Sequence, residues 1–218
     1  MARDVNGAAR PYRSAKRAEQ AAATRSAVVR AARHLFLTEG YGGTTVAAVA
    51  ARAQVAVDTV YTAVGRKPAL LREVVETSIS GTDHAVPAEQ RGYVRRIQEA
   101  TTARAKIEIY AHAVADIQGR LGPVYLALRE AAATDADCRE LWEMISARRA
   151  ANMRDLVADL RRTGELRTDL DDDEMADVVW SMNGPEYWAL LVHERGWSTE
   201  RFAARLADTW IRTLTTAG

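Results

Sequence analysis

The stretch Val28–Tyr61, VVRAARHLFLTEGYGGTTVAAVAARAQVAVDTVY, decides the fold of this chain of 218 residues. At its start, apolar side chains recur every three or four positions, as at Val28 and Ala32, which is the spacing of one helix face. Gly40 follows this periodic run, and glycine often marks the C-terminus of a helix. We therefore predict a helix from about Ala21 to Gly40.

Two short helices separated by a tight turn are predicted next. Thr45–Ala53 and Val57–Val64 each place apolar residues on one side, and Gln54–Ala56 separates them. This is the arrangement of a helix-turn-helix, whose second helix enters the major groove of DNA. Val60 and Val64 would face inward on that helix. The outward side chains are short and polar, with one aromatic ring at the edge: Asp58, Thr59, Thr62 and Tyr61.

The rest of the chain also has helical periodicity, and none of it has the alternation of a β-strand. A fourth helix is expected around Leu70. Periodicity predicts helical structure over Tyr93–Val114, as either one helix or two broken near Thr101–Thr102. The later helices are expected from Gly119–Pro123 to about Ala133, over Asp135–Thr163, over Asp171–His193 and over Ser198–Leu214. Pro185 is expected to kink the helix over Asp171–His193. The predicted fold class is all-α, with about nine or ten helices.

Three segments are predicted along the chain. Residues 1–20 contain several basic side chains and no periodicity, so we expect a flexible basic arm. Residues 21–79 would form the helix-turn-helix domain, in which three helices build the DNA-binding head. The turn residues of Ser80–Pro87 mark a boundary. Residues 80–218 would form a larger helical domain.

Charge is divided unevenly between the two ends of the chain. Residues 1–77 have a net charge of +6 and residues 78–218 a net charge of −5. A basic N-terminal third is typical of a surface that binds a polyanion such as DNA. Charges of this kind also occur on ordinary solvated faces, so the asymmetry supports the helix-turn-helix without proving it.

Other function classes lack their motifs in this sequence. Cys138 is the only cysteine, which excludes an internal disulfide and a CxxC metal or redox site. No GxSxG, Walker, HExxH or GxGxxG motif occurs. We interpret the acidic run Asp169–Glu174 as a helix cap rather than a metal site. The sequence therefore predicts no enzyme, no cofactor and no metal.

The sequence also predicts a cytoplasmic protein without a membrane segment. No apolar run reaches the ~20 residues that a membrane-spanning helix needs. The N-terminus is too charged for a secretory signal.

The helix-turn-helix region resembles the TetR/AcrR family of transcriptional regulators over about residues 22–77. The residues that carry the resemblance span three helices: Val28, Ala31, Ala32, Leu35, Phe36, Gly40, Tyr41, Thr44, Thr45, Val46, Val49, Ala50, Ala53, Val55, Thr59, Val60 and Tyr61. A weaker resemblance to the ligand-sensing half of actinobacterial-type members covers Gly164–Arg167, Ala176–Trp180 and Leu190–Ser198.

The resemblance implies a DNA-binding role for particular residues. Thr44, Thr45, Tyr61 and Lys67 would contact phosphates, with Arg25 and the arm residues Arg13 and Arg17 adding phosphate or minor-groove contacts. The residues that would approach base edges lie at the start and along the outer face of the second helix: Ala56, Val57, Asp58, Thr59 and Thr62.

The sequence departs from the family pattern at the turn and at the ends of the second helix. Gln54 stands where the family usually has glycine, so a non-glycine residue has to adopt a left-handed or similar conformation. Ala56 stands where a serine usually caps the helix, so Asp58 is left to accept hydrogen bonds from the amides of the first turn. Ala63 and Val64 replace a frequent His-Phe pair.

A small-molecule site is predicted in the C-terminal domain around Arg149. This arginine lies within an apolar helix face that includes Trp142, and an arginine is rarely buried without a partner. One interpretation is a cation that binds an acidic or polar effector. The other is a structural pair with Asp116, Glu130 or another internal carboxylate. The remaining candidates for the cavity are Trp180 and Asn183 beside the predicted kink, and Tyr110, His112 and Tyr125.

The resulting hypothesis is a ligand-responsive repressor that binds a palindromic operator in double-stranded DNA as a homodimer and is released by a small-molecule effector. The resemblance implies that dimerisation uses the last two helices. The stripe that Phe202, Leu206, Trp210 and Leu214 form on the final helix also suggests burial against a partner chain. Two alternatives stay open. One is a constitutive DNA-binding regulator without a ligand, and the other is an all-helical enzyme with a vestigial helix-turn-helix.

Overall fold

The computed structural model describes the backbone of residues 9–216 and the side chains of residues 15–216. Within this range the chain forms eleven α-helices: α1 (Ala9–Thr38), α2 (Gly40–Gly43), α3 (Val46–Ala53), α4 (Val57–Ala63), α5 (Lys67–Ser80), α6 (Gly92–Glu99), α7 (Ala103–Ala132), α8 (Ala136–Arg161), α9 (Asp172–Met182), α10 (Pro185–Trp188) and α11 (Thr199–Leu214). No β-strand occurs in residues 9–216, and Leu166 and Thr215 form one isolated bridge. The all-α prediction is confirmed.

The chain divides into two compact units, Met1–Val74 and Val75–Gly218. The division falls inside α5 and therefore ahead of the boundary expected after residue 79.

The first helix begins earlier than predicted. Residues 9–20, expected to belong to a flexible arm, form the first turns of α1. The composition of this segment explains the extension, because it is rich in alanine, lysine, arginine, glutamate and glutamine, which all favour helix. Pro11 lies in the first turn, where its missing N–H has no helical partner to lose. Residues 1–8 lie outside the described part of the chain.

The N-terminal unit has a small apolar core in which α1 packs on α3 and α4. Val28 and Phe36 of α1, Val49 of α3 and Val60 of α4 are almost completely buried. The Phe36 ring lies 5.7 Å from that of Tyr41, measured between centroids. Burying a side chain of this kind stabilises a fold by ~1.5–3 kcal/mol, so this core fixes how the two short helices are presented.

The C-terminal unit is built around α7, which packs against α6, α8, α10 and α11. Contrary to prediction, no helix starts at Gly119–Pro123, because α7 continues through both residues. A tertiary contact explains why small residues occur there. A Cβ atom on Gly122 would lie 2.8 Å from the ring of Trp188, so the close packing of Trp188 on α7 requires glycine.

The break between α6 and α7 settles an alternative that the sequence left open. Thr102 caps α7 by accepting a hydrogen bond from the amide of Ala105 at 3.2 Å, so the two helices are separate. Lys106, in the next turn, is only 5% exposed. Its Nζ donates to the carbonyl oxygen of Ile97 at 2.6 Å and to Asp159 Oδ2 at 2.7 Å. This buried ion pair joins α6, α7 and α8.

The acidic run forms a cap, as predicted. The Asp171 carboxylate accepts a hydrogen bond from the amide of Glu174 at 2.8 Å, and the Glu174 carboxylate accepts one from the amide of Asp171 at 3.1 Å. This reciprocal capping box starts α9. The predicted kink is also present, since α9 ends at Met182 and α10 begins at Pro185.

The final helix differs from the expectation about dimerisation. Phe202, Leu206, Trp210 and Leu214 are buried in the core of their own chain, where α11 packs on α7. The apolar stripe is therefore explained by packing within the chain, so burial of these side chains does not require a partner chain, contrary to the prediction. The sequence could not show this, because the stripe has the same spacing whichever surface covers it.

None of the helices in residues 9–216 is long and apolar enough to cross a membrane.

Candidate nucleic-acid interface and internal chamber

The outward face of α4 is a mixed surface of polar and apolar side chains. Val60 is fully buried beneath it, whereas Val57 is 38% and Tyr61 48% exposed. Asp58 and Thr62 are also exposed, and Thr59 is partly buried. The Thr62 hydroxyl donates to the carbonyl oxygen of Asp58 at 2.8 Å, which fixes the side chain along the helix. The structure thus brings most of the predicted base-contacting residues together on one face.

The turn between α3 and α4 contains the left-handed residue that the sequence predicts. Gln54 has φ 56° and ψ 43°, and it is the one non-glycine residue with positive φ in residues 9–216. Its amide donates to the carbonyl oxygen of Ala51 at 3.2 Å, and the amide of Val55 donates to that of Ala50 at 3.0 Å. These bonds close α3 in the manner of a helix C-cap.

Replacing Gln54 with glycine is expected to stabilise the protein by about 1 kcal/mol, because glycine adopts this conformation without steric cost. For a chain of this size the melting temperature should rise by about 2–4 °C. Thermal unfolding followed by circular dichroism measures the shift. Gln54→Ala is the matched control, since alanine has the same steric cost as glutamine. An equal rise in both variants would contradict the explanation.

The start of α4 lacks a side-chain cap. Ala56 occupies the N-cap position with extended backbone and no capping hydrogen bond, and Asp58 is the acidic residue of the first turn. A negative charge there interacts favourably with the helix dipole. Ala56 itself is exposed, as a residue close to base edges has to be.

The two threonines before α3 have different roles. The Thr45 hydroxyl caps α3 by accepting a hydrogen bond from the amide of Ala48 at 3.1 Å, and its own proton remains able to donate to a phosphate. Thr44 is buried, and its hydroxyl donates to the carbonyl oxygen of Gly40 at 2.8 Å. The structure therefore favours Thr45 over Thr44 as the phosphate contact.

Arg25 has partners within the N-terminal unit, although 43% of its side chain is exposed. Its Nη1 donates to the carbonyl oxygen of Ala63 at the end of α4, and its Nη2 lies 2.7 Å from Glu73 Oε1. It therefore ties α1 to α4 and α5. Lys67 has its Nζ 4.1 Å from the centroid of the Tyr41 ring. Arg17 is exposed, and Arg13 lies outside the described side chains.

Arg25 and Lys67 should therefore differ in their effect on DNA binding. Lys67→Ala should flatten the dependence of log affinity on log salt by ~0.9 for each phosphate that is no longer neutralised. Arg25→Met should weaken binding by displacing α4, without changing that slope. Fluorescence anisotropy at several salt concentrations measures both quantities. If the slope for Arg25→Met is shallower than that of the unmodified protein, Arg25 binds a phosphate.

In the C-terminal unit, the break between α9 and α10 organises a buried polar cluster. Gly184 has extended backbone, so the carbonyl groups before it need hydrogen-bond donors from outside their own helix. Arg149 Nη2 of α8 donates to the carbonyl oxygen of Trp180 at 3.0 Å and to Asn183 Oδ1 at 2.5 Å. Gln118 Nε2 of α7 donates to the carbonyl oxygen of Asn183 at 2.5 Å.

Arg149 has no carboxylate within 4.0 Å among the described residues, so the predicted pair with Asp116 or Glu130 is not formed. Its guanidinium instead lies 5.1 Å from the centroid of the Trp180 ring. Glu186 lies close to the same helix break but pairs with Arg129 at 3.3 Å. The positive charge of Arg149 is therefore met by amide and carbonyl dipoles, by a ring and by the Tyr125 hydroxyl. Glu186 Oε2 and Arg149 Nη2 both face Gly184, so this carboxylate lies near the cation without pairing with it.

The Tyr110 hydroxyl completes the cluster. It accepts a hydrogen bond from Asn183 Nδ2 at 2.8 Å and donates to Met153 Sδ at 3.3 Å, and its ring stacks on Trp210 with centroids 5.6 Å apart. Burial is the main cause of a strongly raised pKa for this hydroxyl, with the nearby Tyr93 adding to it. Tyr110 therefore stays protonated and neutral at physiological pH.

These groups line a chamber of about 80 Å³ that opens to solvent beside the exposed Arg148 and Asn152. Three predicted ligand residues line it, namely Tyr110, Arg149 and Asn183. Tyr125 is buried, and burial raises the pKa of its hydroxyl. The charge of Arg149 acts in the opposite direction, so Tyr125 and Arg149 lie close enough to interact.

Two predicted ligand residues lie elsewhere. His112 is exposed and its Nδ1 lies 2.8 Å from the carbonyl oxygen of Glu108, so it belongs to the surface of α7. Trp142 does not line the chamber either. The sequence analysis missed Gln118 and Met153. Gln118 could have been found, because it interrupts the apolar face that Val114 and Leu121 form on α7.

Taken together, the fold and the two sites define a two-domain helical protein with a helix-turn-helix at its N-terminal end. Residues 28–74 match the family model described as "Bacterial regulatory proteins, tetR family". This match confirms the resemblance to the TetR family that the sequence shows in its N-terminal unit. None of the curated protein sequences compared with the chain matches it.

Solved structures show the same fold over most of the chain. FadR from Bacillus halodurans, a fatty acid degradation regulator, is similar with a TM-score of 0.71 and 16% identity, covering 86% of this chain and 94% of FadR. SmeT in its triclosan complex has a TM-score of 0.70 and 17% identity, covering 90% of this chain and 93% of SmeT. FadR from Bacillus subtilis, in complex with stearoyl-CoA, has a TM-score of 0.67 and 18% identity, covering 88% and 98% of the two chains.

Proposed function

We propose that this protein is a cytoplasmic transcriptional repressor that binds a palindromic operator as a homodimer and is released by a small-molecule effector. The observation that carries the proposal is the outward face of α4. Val57 and Tyr61 are exposed there although neighbouring Val60 is fully buried. Exposed apolar and aromatic side chains beside Asp58 and Thr62 suit a helix that contacts thymine methyl groups, base edges and phosphates.

The homodimer is proposed from the geometry of operators. Helix-turn-helix proteins read two half-sites separated by one DNA turn, about 34–36 Å, through a symmetric pair of heads. One head with its short α4 reaches only one half-site. Since the apolar stripe of α11 is used within the chain, the surface that joins the two copies is not specified by that stripe.

Ligand response is proposed from the chamber beside Arg149. Arg149 is a partly buried cation without a carboxylate partner among the described residues, and it lies next to the break between α9 and α10. It is therefore a polar group that an effector can pair with. An effector that binds one conformation more tightly than another shifts the population toward it. Among the similar structures, SmeT binds triclosan and the Bacillus subtilis FadR binds stearoyl-CoA. These two proteins share the fold of this chain and bind small molecules, which supports the proposal that this chain responds to a ligand.

The test uses DNA from upstream of the protein's own gene. Labelled duplexes tiled across that region are titrated with the full chain, and the bound segment is narrowed by competition. The expected result is an inverted repeat bound by two chains of 24.0 kDa each, with a scrambled duplex bound much more weakly. Equal affinity for every duplex, or binding of a single chain at saturation, would contradict the proposal.

A further inference from the structure

We propose that the effector is an acid that also carries a hydrogen-bond donor, held between Arg149 and Gln118 in the internal chamber. A hydroxylated carboxylic acid is the simplest such molecule. The inference rests on the proposed function, because it names the chemistry of the effector at the same site. It goes further in requiring a second polar group on the ligand, which Arg149 alone does not require.

The acid is specified by Arg149. Its guanidinium is partly buried and lines the chamber, and its hydrogen-bond partners are all neutral: the carbonyl of Trp180, the amide of Asn183 and the hydroxyl of Tyr125. A charge in such surroundings is stabilised best by an anion that adds a charge-assisted hydrogen bond. A carboxylate fits this requirement, since Arg149 has no carboxylate of the protein within 4.0 Å in the described part of the chain.

The donor is specified by Gln118. This side chain lines the same chamber and is only 4% exposed. The orientation of its amide is fixed, because Nε2 donates to a backbone carbonyl oxygen of Asn183, which can only accept. Oε1 is therefore left as an acceptor, and no group of the described residues donates to it. A buried acceptor of this kind favours a ligand that brings an N–H or O–H.

The hydroxyl of Tyr110 does not meet this need. It accepts from Asn183 and donates to Met153, so its one proton is already engaged. Each polar atom of the Asn183 side chain also has a partner, because its Nδ2 faces Tyr110 and Met153 and its Oδ1 accepts from Arg149. These two residues hold Arg149 and Gln118 in place, and the acceptor of the cluster that has no donor is Oε1 of Gln118.

The chamber has room for a small polar head and adjoins a larger pocket. Its volume of about 80 Å³ is bounded by apolar side chains such as Val114 and Ile145. It shares Tyr93, Tyr110 and Met153 with a more open pocket of about 570 Å³. A ligand can therefore place its acid and donor between Arg149 and Gln118 and extend an apolar body past the tyrosine rings.

The probes are benzoate, its three positional hydroxy isomers, and the corresponding hydroxybenzamides, titrated into the full chain by calorimetry. The isomers vary the distance between donor and acid without changing the size of the molecule. At least one hydroxybenzoate should bind about three- to tenfold more tightly than benzoate, which corresponds to one hydrogen bond. The matching amide, which lacks the charge, should bind at least about tenfold more weakly than that acid.

Variants assign the two preferences to their residues. Gln118→Leu should abolish the preference for the hydroxyl, and Arg149→Gln should abolish the preference for the acid over the amide. Arg154→Gln is the matched control, because Arg154 lies on the same helix but is exposed and pairs with Asp173. It should leave both preferences unchanged. The comparison among ligands on the unmodified protein needs no variant, so a folding defect in Gln118→Leu leaves the test intact.

Tighter binding of benzoate than of every hydroxybenzoate, equal binding of acid and amide, or binding of none of the acids would overturn the inference. Operator binding is measured separately on the same protein. If the operator is bound and no acid is, the effector chemistry is wrong and the proposed repressor stands. If a hydroxybenzoate is bound and no operator is, the repressor is wrong and the ligand site stands.

Discussion

Replacing Lys106 with methionine is expected to lower the free energy of unfolding by about 3 kcal/mol, because it breaks a buried ion pair by removing one partner. The Lys106 ammonium donates to the carbonyl oxygen of Ile97 and to Asp159, and both acceptors would lose their buried donor. Asp159 keeps one other partner, the exposed Arg162, so its charge is only partly compensated. The melting temperature should fall by about 6–12 °C.

The control for this prediction is the removal of Arg162, the other cation that pairs with Asp159. The Arg162 side chain is 72% exposed, and Arg162→Met should cost less than about 1 kcal/mol, as exposed pairs usually do. Adding Asp159→Leu to Lys106→Met should restore part of the stability, because no charge is then stranded. Urea unfolding of the four proteins measures these differences. A Lys106→Met protein as stable as the unmodified chain would mean that the pair does not hold α6, α7 and α8 together.

Replacing Thr62 with glutamate should reduce operator affinity more than about 100-fold, equivalent to about 2.7 kcal/mol. Thr62 is exposed on the outward face of α4, and its present hydrogen bond stays within the helix. A carboxylate at this position would face phosphates and base acceptors that repel it. Glutamate favours helix more than threonine does, so the variant should fold normally. Fluorescence anisotropy with the operator measures the loss.

Thr38→Glu provides the matched control. Thr38 is an exposed threonine of the same unit whose hydroxyl also donates to the carbonyl oxygen four residues before it, here His34 at 3.1 Å. It lies at the end of α1 and not on the face of α4. The control adds the same charge to the protein, so a general electrostatic effect would weaken both variants. A similar loss of affinity in both would remove the special role of the α4 face.

The helix-turn-helix could be predicted from the sequence because its signals are local. The cap at Thr45, the turn at Gln54 and the buried Val60 each follow from residues a few positions away. The start of α1 is harder to predict, because a helix without an apolar face has no hydrophobic periodicity to reveal it. Residues 9–20 are helical nonetheless, in a segment rich in residues of high helix propensity.

The internal site could be predicted only in part, because its contacts join distant segments. The sequence placed Arg149 on an apolar face but could not show that its partners are Trp180 and Asn183, more than thirty positions away. The resemblance predicts a DNA contact for Arg25, but it does not predict the contacts with Ala63 and Glu73, which depend on how α1 lies against α4 and α5. Side-chain partners of this kind are set by tertiary packing, which periodicity does not encode.

The salt dependence of operator binding tests the central claim most directly. The claim is that the basic N-terminal third, which has a net charge of +6, binds duplex DNA through α4 and the phosphate-binding residues around it. Each neutralised phosphate contributes about −0.9 to the slope of log affinity against log salt, so about six phosphates bound by two heads predict a slope of about −5. We expect that slope for the inverted repeat, with tighter binding than to a scrambled duplex at every salt concentration. A slope near zero, or equal affinity for the two duplexes, would contradict the account.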